Sequence, residues 1–342
     1  MLYRLFALLL VLLLACPLSA PAEVDAAASP LYVRKVENLP EDFIFGMDAS
    51  SVLAEEASGV VYRDAEGNPA DVFQVLADAG VTHIRVRVWN DPFDSQGHGY
   101  GGGNCDIHTA VEIGRRATAC GLGLIVDFHY SDFWADPGKQ MVPKAWAGMT
   151  IEQMAADTAA VMDALGLRDA AVYGVSQGGM IAQALTLARP DLVGCLVLCS
   201  TAAHVSEAAA SVLGGWVRSA AAGDCEGLMA QFAEHVYSPA YREKYAGAFR
   251  VLAGLVTDEE REAFVHLVAD AGGFDVRARL HEIKCPVLVI GAGKDRIFGG
   301  AASEAIAAAT GGTLGRYPDG AHGVYDEDPD VLVRIRAFLY AH

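Results

Sequence analysis

Basic side chains are scarce in this sequence of 342 residues: 25 Lys and Arg stand against 43 Asp and Glu, a formal net charge of −18 at pH 7. A surface of that sign repels phosphate, which excludes a nucleic-acid partner and favours solubility. Cysteine is sparse too, at 7 residues. None has the paired C-x-x-C spacing of a metal site, and no disulfide framework is visible. Cys195 and Cys199 share one apolar run, where cysteine behaves as a small hydrophobe. No apolar run is long enough to span a bilayer comfortably. Apolar residues as a class are plentiful at 53%, enough for the core of one large domain or two modest ones.

The longest apolar run, residues 5–15, follows Arg4 and reads as the centre of a signal peptide spanning residues 1–22. Cleavage would follow Ala20-Pro21-Ala22. Leu13-Leu14-Ala15-Cys16 offers a lipoprotein alternative with a lipid anchor on Cys16, although Pro17 favours simple secretion. The expected location is therefore secreted or cell-surface. Residues 23–40, with their alanines and prolines, read as a linker.

The clearest chemistry lies at Gly174-Val175-Ser176-Gln177-Gly178, between a short apolar run and a helical pattern over residues 180–188. This is the G-x-S-x-G arrangement in its strand–turn–helix setting. A serine on so sharp a turn has strained backbone angles, and small residues two positions either side avoid a clash. The turn places the Gln177 N–H at a helix N-terminus, where an oxyanion would gather. A glycine-rich turn that merely contains a serine is the plainer alternative.

A nucleophile of this kind needs an acid and a histidine downstream. Residues 286–291 read as a buried strand with Asp295 just past its end, and residues 312–317 as a strand followed by His322. All three groups then lie beyond the carboxyl ends of parallel strands, where catalytic groups of open sheets collect. Residues 150–342 thus resemble the α/β-hydrolase fold family, down to a closing helix over residues 330–340. The resemblance implies a catalytic triad of Ser176, Asp295 and His322 acting on an ester- or amide-type bond. It also implies a helical cap over about residues 201–275, whose aromatic residues are expected to pack rather than define a pocket. No cofactor or metal is expected. The family's first four strands and the loop bearing its second oxyanion donor are missing, which leaves Gln177 as the one donor to name.

Residues 41–149 alternate strands and helices: strands at 43–48, 82–89 and 121–129, helices started by Asn68-Pro69 and by Asp106. Such alternation implies a parallel sheet. One face of it is charged, carrying Arg85 and Arg87 in the second strand and Asp127 and His129 in the third. That suits the upper layer of a (β/α)8 barrel, or an ordinary ion pair between Arg85 and Asp127. The segments 45–50, 83–92, 99–104 and 126–137 resemble glycoside hydrolase family 53, the arabinogalactan endo-β-1,4-galactanases. By that resemblance Asp48, Arg85, Trp89, Asn90, His129 and Trp134 line a galactan-binding cleft.

The resemblance stops early. The family's acid/base glutamate sits in a Gly-Asn-Glu segment that this sequence lacks, and no later stretch resembles the strand bearing the nucleophile. Three βα units cannot close a barrel. Gly97-x-Gly99-x-x-Gly102 lacks the strand–turn–helix context of a dinucleotide site, and His129 with Asp132 lacks a third metal ligand.

The fold class expected is α/β: an incomplete (β/α)8-barrel-like part joined to the C-terminal part of an α/β-hydrolase parallel sheet. The junction falls where Thr150-Ile151-Glu152-Gln153 forms a capping box. The chain reads as a chimera, and an inactive chimera is the third functional reading beside a serine hydrolase and a galactanase-like protein whose catalysis is lost. The outer edge of the strand before Ser176 would be left open, and pairing with the first three strands into one seven-stranded sheet would cover it.

Overall fold

The computed structural model describes residues 38–40, 43–134, 143–146 and 148–342. The expected signal peptide, Cys16 and nearly all of the expected linker lie outside the described residues. The chain divides into two units, Met1–Phe43 and Ile44–His342, and the described strands and helices all belong to the second.

Strands β1 (Gly46–Asp48), β2 (His83–Val88) and β3 (Gly123–Phe128) form a parallel sheet in that order. Alternation along β2 buries Ile84 and Val86 against Phe73 of helix α2 (Val72–Asp78) and Ile113 of α3 (Ile107–Ala119). The opposite face carries Arg85 and Arg87. Helix α1 (Val52–Ala57) is not legible in the sequence, because VLAEEA is too short to show a period. Helix α2 starts later than Asn68-Pro69. Its cap is Asp71, which accepts the Phe73 N–H at 2.8 Å. Asn68 instead donates to Asp64 in a tight turn closed by an Arg63–Pro69 bridge.

The second sheet is parallel in the order β4 (Ala170–Val175), β5 (Val193–Cys199), β6 (Val287–Ala292), β7 (Thr313–Tyr317). Leu196, Leu198 and Val289 face α4 (Ile151–Ala164), α5 (Gln177–Ala188) and α10 (Gly300–Thr310). Val197, Cys199 and Ile290 face α11 (Val324–Glu327) and α12 (Asp330–Leu339). The central strands β5 and β6 are covered on both faces and apolar on both, as a parallel sheet requires, while the edge strands β4 and β7 keep exposed positions at Tyr173 and Arg316. The Thr150 capping box forms as expected, with both reciprocal bonds present. Between β5 and β6 the chain makes a helical excursion through α6 (Glu207–Ala221), α7 (Cys225–Val236), α8 (Pro239–Ala253) and α9 (Asp258–Ala271), pinned at its base by a His204–Asp275 bridge.

The two sheets do not merge. Among the described residues β3 pairs only with β2, and β4 only with β5. Side-chain packing joins them instead. Val161 of α4 packs on the first core, while Phe128 and Tyr130, at the end of β3, pack on the second. Tyr130 has a φ of 49° and lies 5.1 Å from the Trp146 ring. The chain thus turns out of β3 onto the core under α4, and a single seven-stranded sheet does not form. The six described cysteines, from Cys105 to Cys285, are all free. Among the described residues no helix is long and apolar enough to cross a membrane.

Candidate active site

Ser176 stands at the N-cap of α5 with φ 52° and ψ −120°, a backbone conformation that costs energy and persists only where the surroundings enforce it. Its N–H donates to the Cys199 carbonyl at 3.0 Å, tying the turn to β5. Its carbonyl accepts the Gly179 N–H at 3.0 Å and the Thr201 hydroxyl at 2.6 Å. The helix begins directly after the serine rather than at Met180, so Gln177 supplies the first of its unpaired N–H groups. The Gln177 side chain reaches the Leu267 carbonyl of α9 at 3.2 Å, linking the turn to the helical excursion.

The glycine requirement differs from the expected one. A Cβ on Gly174 would lie 2.5 Å from the Gly178 oxygen, and one on Gly179 would lie 2.6 Å from Thr201 Cβ. A Cβ on Gly178 would meet nothing within 4 Å. Close approach of strand, helix and β5 loop sets the need for glycine, and symmetry about the serine does not.

Asp295 follows β6, and its carboxylate accepts His322 Nδ1 at 2.9 Å. Both side chains are almost fully buried, at 4% and 3% exposure. The second Asp295 oxygen accepts the N–H groups of Ile297 at 2.7 Å and Phe298 at 3.0 Å. Burial alone would raise this carboxyl's pKa. The His322 hydrogen bond and charge, with the two N–H groups, outweigh burial and hold it below the usual value. The Phe298 ring lies 5.6 Å from the imidazole.

Ser176, Gln177 and His322 line one cavity of about 1360 Å³. Trp216, Phe232, Tyr237 and Phe264 of the helical excursion line it too, which corrects the expectation that these aromatics only pack. Tyr241 and Phe249 do pack behind them. Cys199, buried at the end of β5, has its thiol pushed up to about 12 by desolvation and is inert at neutral pH.

The six residues of the expected galactan cleft fall in two groups. Arg85 bridges Asp48 and Asp127, and His129 Nε2 lies 3.2 Å from Asp127. Burial raises Asp48, but Ser50 hydrogen bonds and the Arg87 and Arg85 charges hold its pKa down. Trp134 is 42% exposed, stacked over the Arg87 guanidinium at 3.9 Å. Trp89, by contrast, is fully buried. It cannot touch a sugar, and it donates to His129 Nδ1 at 3.0 Å, orienting that ring. Asn90 is exposed, its backbone held by the Ser131 carbonyl. Sequence reading does not single out Arg87 or Thr201 as site residues; the charged alternation of β2 hints at the first, while nothing in the sequence marks the second. No cluster of three metal-ligating side chains occurs among the described residues.

Residues 128–329 match the family model described as alpha/beta hydrolase fold. The chain belongs to that family. Two solved structures share the fold. The enol-lactonase from Burkholderia xenovorans LB400 has a TM-score of 0.55 at 18% identity, covering 82% of this chain and 95% of its own. MGS-M2, an alpha/beta hydrolase from a Medee basin deep-sea metagenome library, has a TM-score of 0.54 at 19% identity over 57% and 73%. At those identities the likeness shows the fold alone. Residues 44–178 match glycosyl hydrolase family 53. The endo-beta-1,4-galactanase of Bacillus subtilis (strain 168) is 56% identical over 37% of this chain and 30% of the relative. The arabinogalactan endo-beta-1,4-galactanase of Humicola insolens is 43% identical over 30% and 28%. The chain thus spans less than a third of the length of these curated relatives, and the two matches are consistent with a chimera. The matches overlap at residues 128–178 rather than abutting near 150.

Proposed function

We propose that the protein is a serine hydrolase acting on an ester- or amide-type bond, with Ser176 as nucleophile, His322 as general base and Asp295 as orienting acid. The observation that carries this reading is the buried His322–Asp295 hydrogen bond at 2.9 Å, opening onto the same cavity as the strained Ser176. Asp295 holds the imidazole by Nδ1, which leaves Nε2 to take the serine proton. The Gln177 N–H and the α5 dipole stabilise the developing oxyanion. A single donor is worth roughly 10²–10³ in turnover, so activity is expected to be modest.

Treating the purified full chain with a fluorophosphonate and measuring intact mass tests the reading. One adduct, absent from Ser176→Ala, is expected. An unlabelled chain would mean that the triad does not work as a unit.

A second reading is favoured by one specific feature, the Asp48–Arg85–Asp127–His129 network beside exposed Trp134. It is galactan binding without hydrolysis, since the family's glutamates are missing from the chain.

A further inference from the structure

Strands β3 and β4 are both edge strands, and the cavity that holds Ser176 runs between them: residues 124–128 of β3 and 170–175 of β4 line it without a break. Among the described residues no main-chain hydrogen bond crosses this seam. Apolar side chains of α4 and α5, among them Met162, Met180 and Leu185, line the same space. On the two edges Ile125 is 38% exposed and Tyr173 46%. Large apolar residues beside open strand edges are a template for another strand.

We infer that this seam is the subsite for the acyl part of the substrate, and that this part is an extended peptide pairing with β4 as an added parallel strand. The inference rests on the serine-hydrolase reading and names its substrate class. Hydrogen bonding selects the peptide over a fatty acyl chain. A hydrocarbon laid along β4 would leave that strand's outward N–H and C=O groups desolvated and unpaired. A peptide repeats donors and acceptors at the strand's own rise of about 3.3 Å per residue, and it offers side chains to the apolar helices below.

Direction follows from the position of the serine. Ser176 directly follows Val175, the last residue of β4. A peptide running parallel to β4 ends there and presents its C-terminal carbonyl to Ser176; an antiparallel one presents its amine. In the reaction Ser176 Oγ bonds to that carbonyl carbon while its proton passes to His322. The ester C–O bond breaks, and His322 returns the proton to the leaving alcohol. Water then releases the peptide acid and restores the serine.

The test compares kcat/KM of the full chain on two series of p-nitrophenyl esters. One is fatty (acetate, octanoate, dodecanoate); the other is N-acetylated peptides of alternating Val and Ala of increasing length. The peptide series should climb by about five-fold for each hydrogen bond gained, the factor that ~1 kcal/mol represents. Methylating alternate peptide nitrogens should abolish the climb in one register and spare it in the other, while the fatty series stays level. Methylation without effect in either register, or a fatty series that climbs as steeply, overturns the inference. Fluorophosphonate labelling of Ser176 in the same preparation separates the two failures. Labelling with a level peptide series overturns the peptide subsite alone, whereas no labelling and no turnover overturn the hydrolase reading and the subsite with it.

Discussion

The Thr201 hydroxyl donates to the carbonyl of Ser176 at 2.6 Å, so a residue after β5 helps fix the backbone of the candidate nucleophile. Thr201 is 1% exposed, and water does not replace it. Thr201→Val keeps the shape and removes the donor. The carbonyl retains the Gly179 N–H, so the stability loss should be about 1 kcal/mol. The rate of fluorophosphonate labelling should fall, because the strained φ of Ser176 loses one of its restraints. Denaturant titration and labelling kinetics on the same sample check both. An unchanged labelling rate would show that the turn is held without Thr201.

The glycines around Ser176 give a sharper contrast. Gly178→Ala has room and should fold and label like the parent. Gly174→Ala and Gly179→Ala each drive a Cβ into neighbouring atoms, at 2.5 Å and 2.6 Å, and should cost about 1–3 kcal/mol as overpacking does. Thermal melts of the three variants decide the point. Equal losses at all three would return the symmetric requirement read from the G-x-S-x-G pattern.

Asp295 predicts a pH dependence whose sign is fixed. Its folded pKa is depressed below the unfolded value because, against burial, His322 and two N–H groups favour the carboxylate. Such a group adds stability above its unfolded pKa of about 3.9 and loses it as pH falls through the folded value. Asp295→Asn should therefore be less stable than the parent at neutral pH, with the gap narrowing in acid below about pH 3.9. Chemical denaturation across that range measures it. A gap that stays constant would show that Asp295 is not held ionised by its partners.

The legible parts of the chain are those whose chemistry is local. Ser176, Asp295 and His322 each follow a short run, rich in apolar residues, that forms a strand, and the Thr150 box marks a helix start by its own hydrogen bonds. Period-two alternation alone places Arg85 and Asp127 on one face, and they do pair. What the sequence hides depends on distant parts of the chain. Trp89 is expected, by resemblance, to line the galactan cleft, yet Phe133 and Trp134, over forty positions on, pack against it and it is fully buried. The separation of the two sheets is not readable from either half, because it follows from how Tyr130 and Trp146 pack beneath α4. Helices α7 and α8 escape notice because their apolar residues contact one another in the excursion instead of forming one clear stripe against the sheet.

Arg116 is the cross-link that the first sheet's helices depend on. It donates to Glu56 of α1 at 2.7 and 2.8 Å and to Asp71, the α2 cap, at 3.0 Å, with its own side chain 16% exposed. Arg116→Met keeps much of the packing over the Phe73 ring and removes the charge. Two partly covered carboxylates then lose their partner, and a loss of about 1–3 kcal/mol is expected. Hydrogen exchange should show faster opening of α1 and α2 but not of α5. Uniform acceleration would mean that the two sheets unfold as one.

The galactanase-like part leads to a prediction with two halves. The full chain should release no reducing ends from β-1,4-galactan, because retaining and inverting glycosidases alike need a pair of carboxylates flanking the bond, and the family's glutamates are missing. Asp48 and Asp127 do not substitute for them. Burial alone would raise both, yet hydrogen bonds from Ser50 and His129 and the charge of Arg85 hold them ionised. An acid that must donate a proton needs a raised pKa rather than a lowered one. Binding is a separate matter, since Trp134 offers a partly exposed ring stiffened by Arg87 beneath it. Migration in a gel containing galactan should be retarded for the parent and restored in Trp134→Ala, while Trp89→Phe, buried out of reach of sugar, should stay retarded. Retardation lost equally in both variants would place the effect in the fold of the sheet rather than in contact with the polysaccharide, and any reducing ends released by a Ser176→Ala chain would overturn the first half outright.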